Sequence, residues 1–294
     1  MGAGVMTARA IVRDLYHPVE GARVMSKALT GLGVLACLSA PAGGFLADHL
    51  GWRAALAAVA AFGGVALVVV AWRYRETHPD PDLRALDPAR LVRSWRDILR
   101  HPTFIAWSAL STASYGGLFT YLAASSFVFI RVLGLSKTQY GLLMLSASVA
   151  YIGGTFLCRE LLVRFGVRRT VAIAGGLSLA GGGLTGALSL LGQGQAWYGP
   201  WAVAGPFYLF MVAHGIHQPC GQSGAVGPFP RAAGTASALN GCLMMLAAFA
   251  MGGWLGRHMD DTVFPLTLGL WFWGTVIALC AWTLVQRHGE TPKP

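Results

Sequence analysis

Long apolar stretches decide the fold of this chain, and residues 169–191 show the pattern, reading RTVAIAGGLSLAGGGLTGALSLL. After its arginine the run has no charged residue, and about 20 apolar residues in a helix cross a hydrocarbon core of about 30 Å. Small residues suit close helix contact, and the run holds the glycines Gly175, Gly176, Gly181, Gly182, Gly183 and Gly186. They do not form a phosphate-binding loop, because no strand precedes them and no lysine stands at the required spacing.

Runs long enough to span a membrane recur along all 294 residues. They lie at 26–47, 54–73, 105–130, 139–158, 169–191, 200–222, 235–255 and 263–285. The opening stretch 2–15 is too short to cross alone, and we interpret it as the second half of a further helix. Only 12% of the residues are charged, against about 25% in soluble domains. The sequence therefore predicts an all-α polytopic membrane protein with about eight and a half transmembrane helices.

Basic residues are distributed unequally between the two sides of these predicted spans. The ends and loops at 1–27, 73–100, 159–169, 231 and 287–293 carry 18 of the 22 Lys and Arg. The opposite side holds Arg53, Arg131, Lys137 and Arg257. Because cytoplasmic loops collect positive charge, the pattern predicts a bacterial inner-membrane protein with a cytoplasmic C-terminus. It explains the basic character without nucleic acid and makes membrane lipid an expected partner.

One sizeable polar segment, 74–102, interrupts the apolar runs. Asp87 as an N-cap and Pro88 at the first helical position predict a helix. Its apolar residues recur at helical spacing with arginines between them: Leu91, Trp95, Ile98 and Leu99, with Arg90, Arg93, Arg96 and Arg100. This pattern is typical of an amphipathic helix on the cytoplasmic membrane surface. A solvated linker helix with no binding role is the alternative.

An internal repeat indicates two related halves. Residues 26–31, followed by Gly43-Gly44, parallel residues 237–241, followed by Gly252-Gly253. The two spans are six positions apart, as in transporters whose six-helix halves are related by an axis along the membrane normal. We therefore expect a remainder of an N-terminal bundle at 1–73, a cytoplasmic linker at 74–102, a complete six-helix bundle at 103–287 and a tail at 288–294. On this interpretation the first three and a half of twelve helices are missing.

The strongest polar cluster within a predicted span is His214-Gly215-Ile216-His217-Gln218-Pro219. His214 and His217 are three residues apart and share a helix face, which permits a shared metal ion or a proton relay. Lining a polar cavity, with Pro219 bending the helix, and packing as satisfied interior histidines are the alternatives. Two histidines alone do not make a metal site, and the five cysteines show no paired spacing, so we predict no bound metal.

Acidic residues do not stand at the centre of any predicted span. Asp48 and Glu160 lie near span ends, and Asp14 stands beside Arg13, which favours structural ion pairs over proton coupling. Aromatic and hydroxyl side chains instead mix in span 105–130, at Tyr115, Phe119, Tyr121 and Ser125. With His214, His217, Gln218 and Asn240, they are our candidates for lining a cavity that accepts lipophilic, weakly polar solutes. Helix packing explains several of them equally well.

Several motifs together resemble the bicyclomycin and chloramphenicol resistance (Bcr/CflA) drug:proton antiporters of the major facilitator superfamily. Residues 9–15 look like the end of that family's fourth helix, and Gly31, Pro41, Gly43 and Gly44 with Gly51-Trp52-Arg53 like its fifth. Residues 118–128, 164–166 and 229–239 resemble its seventh helix, its eighth-to-ninth loop and the entry to its eleventh. The resemblance implies gating or structural roles for Arg9, Arg13, Asp14, Gly31, Pro41, Gly43, Gly44, Arg164, Gly166 and Arg168.

The resemblance also implies a function: multidrug efflux by proton antiport through alternating access, without catalytic residues. No cofactor is expected, because the proton gradient supplies the energy, and the expected partners of this monomer are lipophilic small molecules and protons. The family's coupling acid would lie upstream of Met1, and Gln218 stands where relatives commonly have Asn. A truncated fragment that does not transport, or a transporter of another small solute, is the alternative. A membrane enzyme is disfavoured, because acids, His and Ser do not gather at one depth.

Overall fold

The computed structural model describes residues 41–75, 88–192, 195, 198–229 and 232–289, together with Ile11, Leu15, Val24, Gly31, Leu35, Leu38 and Ser39. Throughout these residues the regular structure is helical. This confirms the predicted all-α class. Half of the predicted span 26–47, and most of the half helix at 2–15, fall outside the described residues.

Short interruptions separate the helices in the first part of the described chain. Helix α1 is described continuously over 41–49 and α2 covers Trp52–Arg73, with Gly51 between them at φ 82°. Helix α3 is Pro88–Arg100 and α4 is Pro102–Ser126, which continues through a π-helical turn, Phe127–Val132. Proline at the first position of α3 and α4 suits a helix start, because a backbone N–H at that position has no carbonyl partner within the helix.

The remaining helices follow from a long segment, Lys137–Gly192, that is broken at Gly166. Its two parts are α5, residues 137–165, and α6, residues 167–192. Helix α7 is Pro200–Val226, α8 is Ala233–His258, and α9 is Phe264–Leu279, extended by Cys280–Leu284 and Val285–His288. Gly166 has φ 70°, a left-handed conformation that glycine adopts without steric cost.

Length and composition make many of these helices capable of crossing a membrane. In the described residues they are Trp52–Arg73, Pro102–Val132, Lys137–Gly192, Ala233–His258 and Phe264–His288. Helix α7, with 27 residues, is about 40 Å long, although its histidines and glutamines make it more polar. The predicted spans from 54–73 onward thus correspond to helices, and the chain is a multi-pass membrane protein.

The chain divides into two compact units. Unit 1 comprises 1–87 with 136–146, and unit 2 comprises 88–135 with 147–294. Unit 2 therefore contains α3, α4 and α6 to α9, together with most of α5. In unit 2 the side chain of Ile98 on α3 is 2% exposed, whereas Trp95 and Leu99 are 44% and 42% exposed. Asp87, the predicted N-cap, lies outside the described residues.

Glycines on α6 allow its backbone to approach two neighbouring helices. A Cβ atom at Gly181 would lie 2.7 Å from the Phe210 nitrogen on α7, and one at Gly182 would lie 2.4 Å from the Leu270 carbonyl oxygen on α9. Gly175 and Gly186 make similarly close contacts with α9 side chains. The predicted small-residue surface is confirmed, and it places α6 between α7 and α9.

Candidate functional site

Helices α4 and α7 pack antiparallel in unit 2 and bring most of the candidate residues together. Partners follow one another in opposite directions along the two helices: Tyr121 with Phe207, Gly117 with Phe210, Ser114 with His214, Ser111 with Gln218 and Gly221, and Trp107 with Gly224. Steps of three or four residues keep each partner on the facing side of its helix. The site is therefore an extended interface between two helices.

A hydrogen-bonded polar group joins α4, α7 and α8. The Ser111 hydroxyl donates to the Asn240 side-chain oxygen at 2.9 Å, and the Gln218 amide donates to the Ser111 carbonyl at 3.3 Å. Gln222 continues the group by donating to Gln218 at 3.0 Å. Ser111, Gln218 and Asn240 are buried, so these bonds replace the hydration that the polar groups lose.

His214 lies one helical turn further along α7. Its Nδ1 is 2.8 Å from the Ser114 hydroxyl on α4. On another side its ring is 5.6 Å, between centroids, from that of Tyr151 on α5. The ring is 4% exposed, so three helices fix its position.

His217 has different surroundings, although it shares a helix face with His214. It is fully buried. Neither imidazole nitrogen meets a described partner with hydrogen-bond geometry, although the Ala174 backbone on α6 lies close enough to interact electrostatically. A buried polar atom without a partner costs about 1–3 kcal/mol, so the burial of the His217 ring is unfavourable in this arrangement.

The aromatic candidates on α4 differ in their surroundings. The Tyr121 and Phe207 rings stack with centroids 3.5 Å apart and planes at 7°. Tyr121 and Ser125 are buried inside unit 2, whereas Tyr115 and Phe119 are half-buried. Phe119 approaches Gly252 on α8, where an added Cβ would be 3.4 Å from its ring. A role for these residues in lining a cavity stays a prediction.

The residues that resemble the fifth-helix motif lie in unit 1. Gly44 approaches the first turn of α5, and a Cβ there would lie 3.0 Å from the Lys137 carbonyl oxygen. Asp48 accepts a 2.5 Å hydrogen bond from the Thr138 hydroxyl and lies 3.5 Å from the Lys137 ammonium. The hydroxyl bond and, after it, the lysine charge lower the pKa of Asp48, outweighing partial desolvation. Pro41 and Gly43 are half-buried on α1, and Gly31 is exposed.

The basic segment between α5 and α6 makes two different contacts. Arg164 forms an ion pair with Glu160 at 2.6 Å within α5. Arg168 donates to the Gln286 carbonyl, and the Gln286 amide donates back to the Arg168 carbonyl at 3.1 Å. The segment therefore joins the start of α6 to the end of α9 through reciprocal hydrogen bonds. The remaining motif residues, Arg9, Arg13 and Asp14, lie outside the described residues.

Sequence reasoning missed Ser111, Ser114, Tyr151 and Gln222, which complete the polar surroundings of the named residues. A signal for the serines existed, because Ser111, Ser114 and Tyr121 recur on one α4 face as His214 and Gln218 do on α7. Tyr151 and Gln222 had no comparable signal. Within the described part of the chain, no group of three potential ligands is arranged to hold a metal ion.

Long apolar helices around an interior of polar and aromatic side chains are an arrangement that membrane transport proteins use. Comparison with known families identifies the class more narrowly. Residues 1–253 match the family model described as Major Facilitator Superfamily. The chain belongs to the Major Facilitator Superfamily, and it is a transporter, as predicted.

Two relatives match nearly the whole chain at low identity. The Bicyclomycin resistance protein homolog of Haemophilus influenzae is 24% identical over 287 residues, covering 97% of this chain and 71% of that protein. Multidrug resistance protein D of Escherichia coli is 27% identical over 300 residues, covering 100% of this chain and 72% of that protein. These similarities agree with the resemblance drawn from the motifs.

Solved structures give the same fold. The crystal structure of a D-xylose-proton symporter superposes with a TM-score of 0.62 at 16% identity, covering 98% of this chain and 69% of that one. A bacterial homolog to the human lysosomal transporter Spinster gives a TM-score of 0.53, also at 16% identity. At such low identity the likeness describes the arrangement of helices.

Proposed function

We propose that this protein exports lipophilic, weakly polar small molecules, including antibiotics, across the bacterial inner membrane in exchange for protons. One observation carries the proposal: the relatives named for bicyclomycin and multidrug resistance align with 97% and 100% of this chain. The similarity therefore extends over both units and is not confined to one helix pair.

The interior of unit 2 supports a substrate of this kind. Its buried polar side chains are hydroxyls, amides and two histidines, without a buried Asp, Glu, Lys or Arg among the described residues. Such an interior offers hydrogen bonds but no fixed charge, which suits weakly polar solutes. We assign substrate contact to Tyr115, Phe119, Tyr121, Ser125, His214, His217, Gln218 and Asn240.

Transport would follow alternating access, in which two helix bundles rock around a central site and open it to one side at a time. The glycines and the proline of α1 and the Arg168 contact would act as gating or structural elements. The excess of Lys and Arg on one predicted side supports a cytoplasmic C-terminus. The transporter would act as a monomer and without a cofactor.

Drug susceptibility gives the first test. The natural gene product is expressed in a bacterium whose own efflux pumps are deleted, and growth is measured in bicyclomycin, in chloramphenicol and in a hydrophilic aminoglycoside. We expect higher inhibitory concentrations for the first two drugs and no change for the third. Unchanged susceptibility to all three, at confirmed membrane expression, would contradict drug export.

Inverted membrane vesicles test the coupling to protons. Respiration acidifies the interior of these vesicles, and the quenched fluorescence of a weak-base dye reports that acidification. An added substrate of a proton antiporter draws protons out and so reverses part of the quench. We expect reversal by the drugs to which the protein gives resistance. Resistance without such reversal would retain export but exclude proton antiport.

A fluorescent protein fused to the C-terminus tests the orientation, because it fluoresces only when it lies in the cytoplasm.

A further inference from the structure

One polar file runs along α7 from its partly exposed end into the interior of unit 2. Gln222, Gln218 and His214 are spaced by four residues on one face of the helix, so they span about 12 Å. Gln222 is half-buried, whereas Gln218 and His214 are 7% and 4% exposed. The file therefore starts near the surface and ends at a buried imidazole.

Serines of α4 accompany this file. Gln222 donates to Gln218 at 3.0 Å, and Gln218 donates to the Ser111 carbonyl at 3.3 Å. Ser114, one turn further along α4, lies 2.8 Å from His214 Nδ1. Side chains one turn apart are separated by about 5–6 Å, a gap that one water molecule can bridge. Serine hydroxyls both donate and accept, so the file can orient water over its whole length.

We propose that His214, with His217 beside it, is a proton-binding site inside unit 2. The proton's route to the C-terminal end of α7 runs along Gln218 and Gln222 of the polar file, beside Ser114 and Ser111 of α4. This inference rests on the proposed proton antiport and names a protonation site for it. Under the predicted topology that end of α7 faces the cytoplasm, so the file releases the proton inward.

Among the described side chains around the site, the two imidazoles are the strongest bases, since no buried Asp, Glu, Lys or Arg is found among the described residues. Helix α4 presents Ser114, α5 presents Tyr151, and α6 presents the Ala174 backbone. Cys158 on α5 and Cys220 on α7 contact each other at 3.8 Å, one turn beyond His217. Tyrosine and cysteine ordinarily titrate well above neutral pH, whereas histidine changes its charge between about pH 5 and 8.

Protonation would affect the conformation of α7, because this helix lacks one backbone hydrogen bond beside the site. Pro219 lies inside α7 and has no N–H for the Gly215 carbonyl four residues earlier. A proton on the pair would add a charge with no buried counter-charge among the described residues, and a buried charge favours rearrangement toward water or a partner. The Pro219 region can therefore couple proton binding to a bend of α7.

Transport assays on purified protein in liposomes test this proposal with His214→Gln. The matched control is His258→Gln, because His258 is an exposed histidine at the end of α8. We expect His214→Gln to lower drug-driven proton movement and uphill export about tenfold relative to His258→Gln. Proton movement within about twofold of the control would overturn the proposal.

A second variant covers the case in which His214→Gln does not fold. Ser114→Ala removes the partner of His214 at little cost in volume, and Ser178→Ala is its control, since Ser178 is a buried serine on α6 away from the file. Drug-driven proton movement should fall several-fold in Ser114→Ala alone. Equal activity in the two serine variants would exclude the file as the proton route.

A direct measurement separates this site from the proposed transport activity. The imidazole signals of the full chain, labelled at histidine and held in lipid nanodiscs, are followed by NMR between about pH 5 and 9. Signals lost in His214→Gln and in His217→Gln identify the pair, and we expect both to change with pH. If these two signals stay fixed over this pH range, the proton site is excluded. If they titrate but wild type moves no drug, the proposed function fails and the site stands.

Discussion

Replacing Gly154 by alanine should destabilise unit 2, because this glycine is where α5 touches α7 most closely. A Cβ atom there would lie 2.2 Å from the Val212 carbonyl oxygen and 2.9 Å from its Cα. Ordinary contacts of this kind are at least 3.4 Å, so the two backbones would have to separate by about 1 Å. The obstacle is backbone, which cannot rotate away as a side chain can.

The neighbouring glycine isolates the cost of this contact. Gly153 lies on the same helix and has nothing within 4 Å of an added Cβ. Alanine in place of glycine favours a helix by about 0.5–1 kcal/mol at either position, so the difference between the two variants is the clash alone. Overpacking costs about 1–3 kcal/mol, and about 2–4 °C of Tm corresponds to each kcal/mol in a domain of this size. We expect Gly154→Ala to melt about 3–10 °C below Gly153→Ala.

Thermal unfolding of the protein in detergent, followed by the loss of the monodisperse peak on gel filtration, measures this difference. Both variants are purified in the same detergent and heated in parallel. Melting temperatures of both variants equal to that of the unmodified protein would refute the close contact of α5 with α7. A loss in Gly153→Ala equal to that in Gly154→Ala would instead indicate a general intolerance of α5 to alanine.

Three further substitutions test other contacts, each by the same melting assay. Asp48→Asn should lower the Tm at neutral pH but not in acid. The pKa of Asp48 is lowered in the folded protein, so the ionised carboxylate stabilises the fold at pH values above the ordinary carboxylate pKa. This stabilisation is lost as the pH falls through the lowered pKa of the folded state. A Tm gap independent of pH would contradict this. Phe207→Ala should cost about 3 kcal/mol by removing the ring stacked on Tyr121, whereas Phe272→Ala, at a side chain 57% exposed, should cost much less. Arg168→Ala should lose about 1–2 kcal/mol and expose the end of α9 to protease, unlike Arg169→Ala, since Arg169 is exposed.

The helical class could be predicted from the sequence because the bilayer imposes one dominant rule on each span. An apolar run such as 169–191 is long enough to cross, and its backbone must satisfy itself within a helix. Ends were less predictable: α4 continues to Val132 through a π-helical turn, and α7 continues to Val226, past the predicted ends at 130 and 222. Neither end depends on apolar length alone.

Partners across helices could be predicted much less well than the helices themselves. The pairing of Ser111 with Asn240 joins residues 129 positions apart, and that of Ser114 with His214 joins residues 100 apart. The period of one helix shows which residues share a face, but not which helix that face meets. The shared face of His214 and His217 was therefore predictable, whereas their separate neighbours, on α4 and α5 for one and on α6 for the other, depend on tertiary packing.

Glycines and polar residues alternate along α7, and this arrangement separates two kinds of mutational effect. Gly215 and Gly221 bring α5 and α4 against the helix, where an added Cβ would lie 2.5 Å from the Tyr151 carbonyl and 2.8 Å from the Ser111 Cβ. His214 directly precedes Gly215, and Gln218 lies between Gly215 and Gly221. Changes at the glycines must move whole helices and so reduce stability. Changes at His214 or Gln218 can leave the contacts in place, so a loss of proton movement there at unchanged Tm would report on coupling rather than on packing.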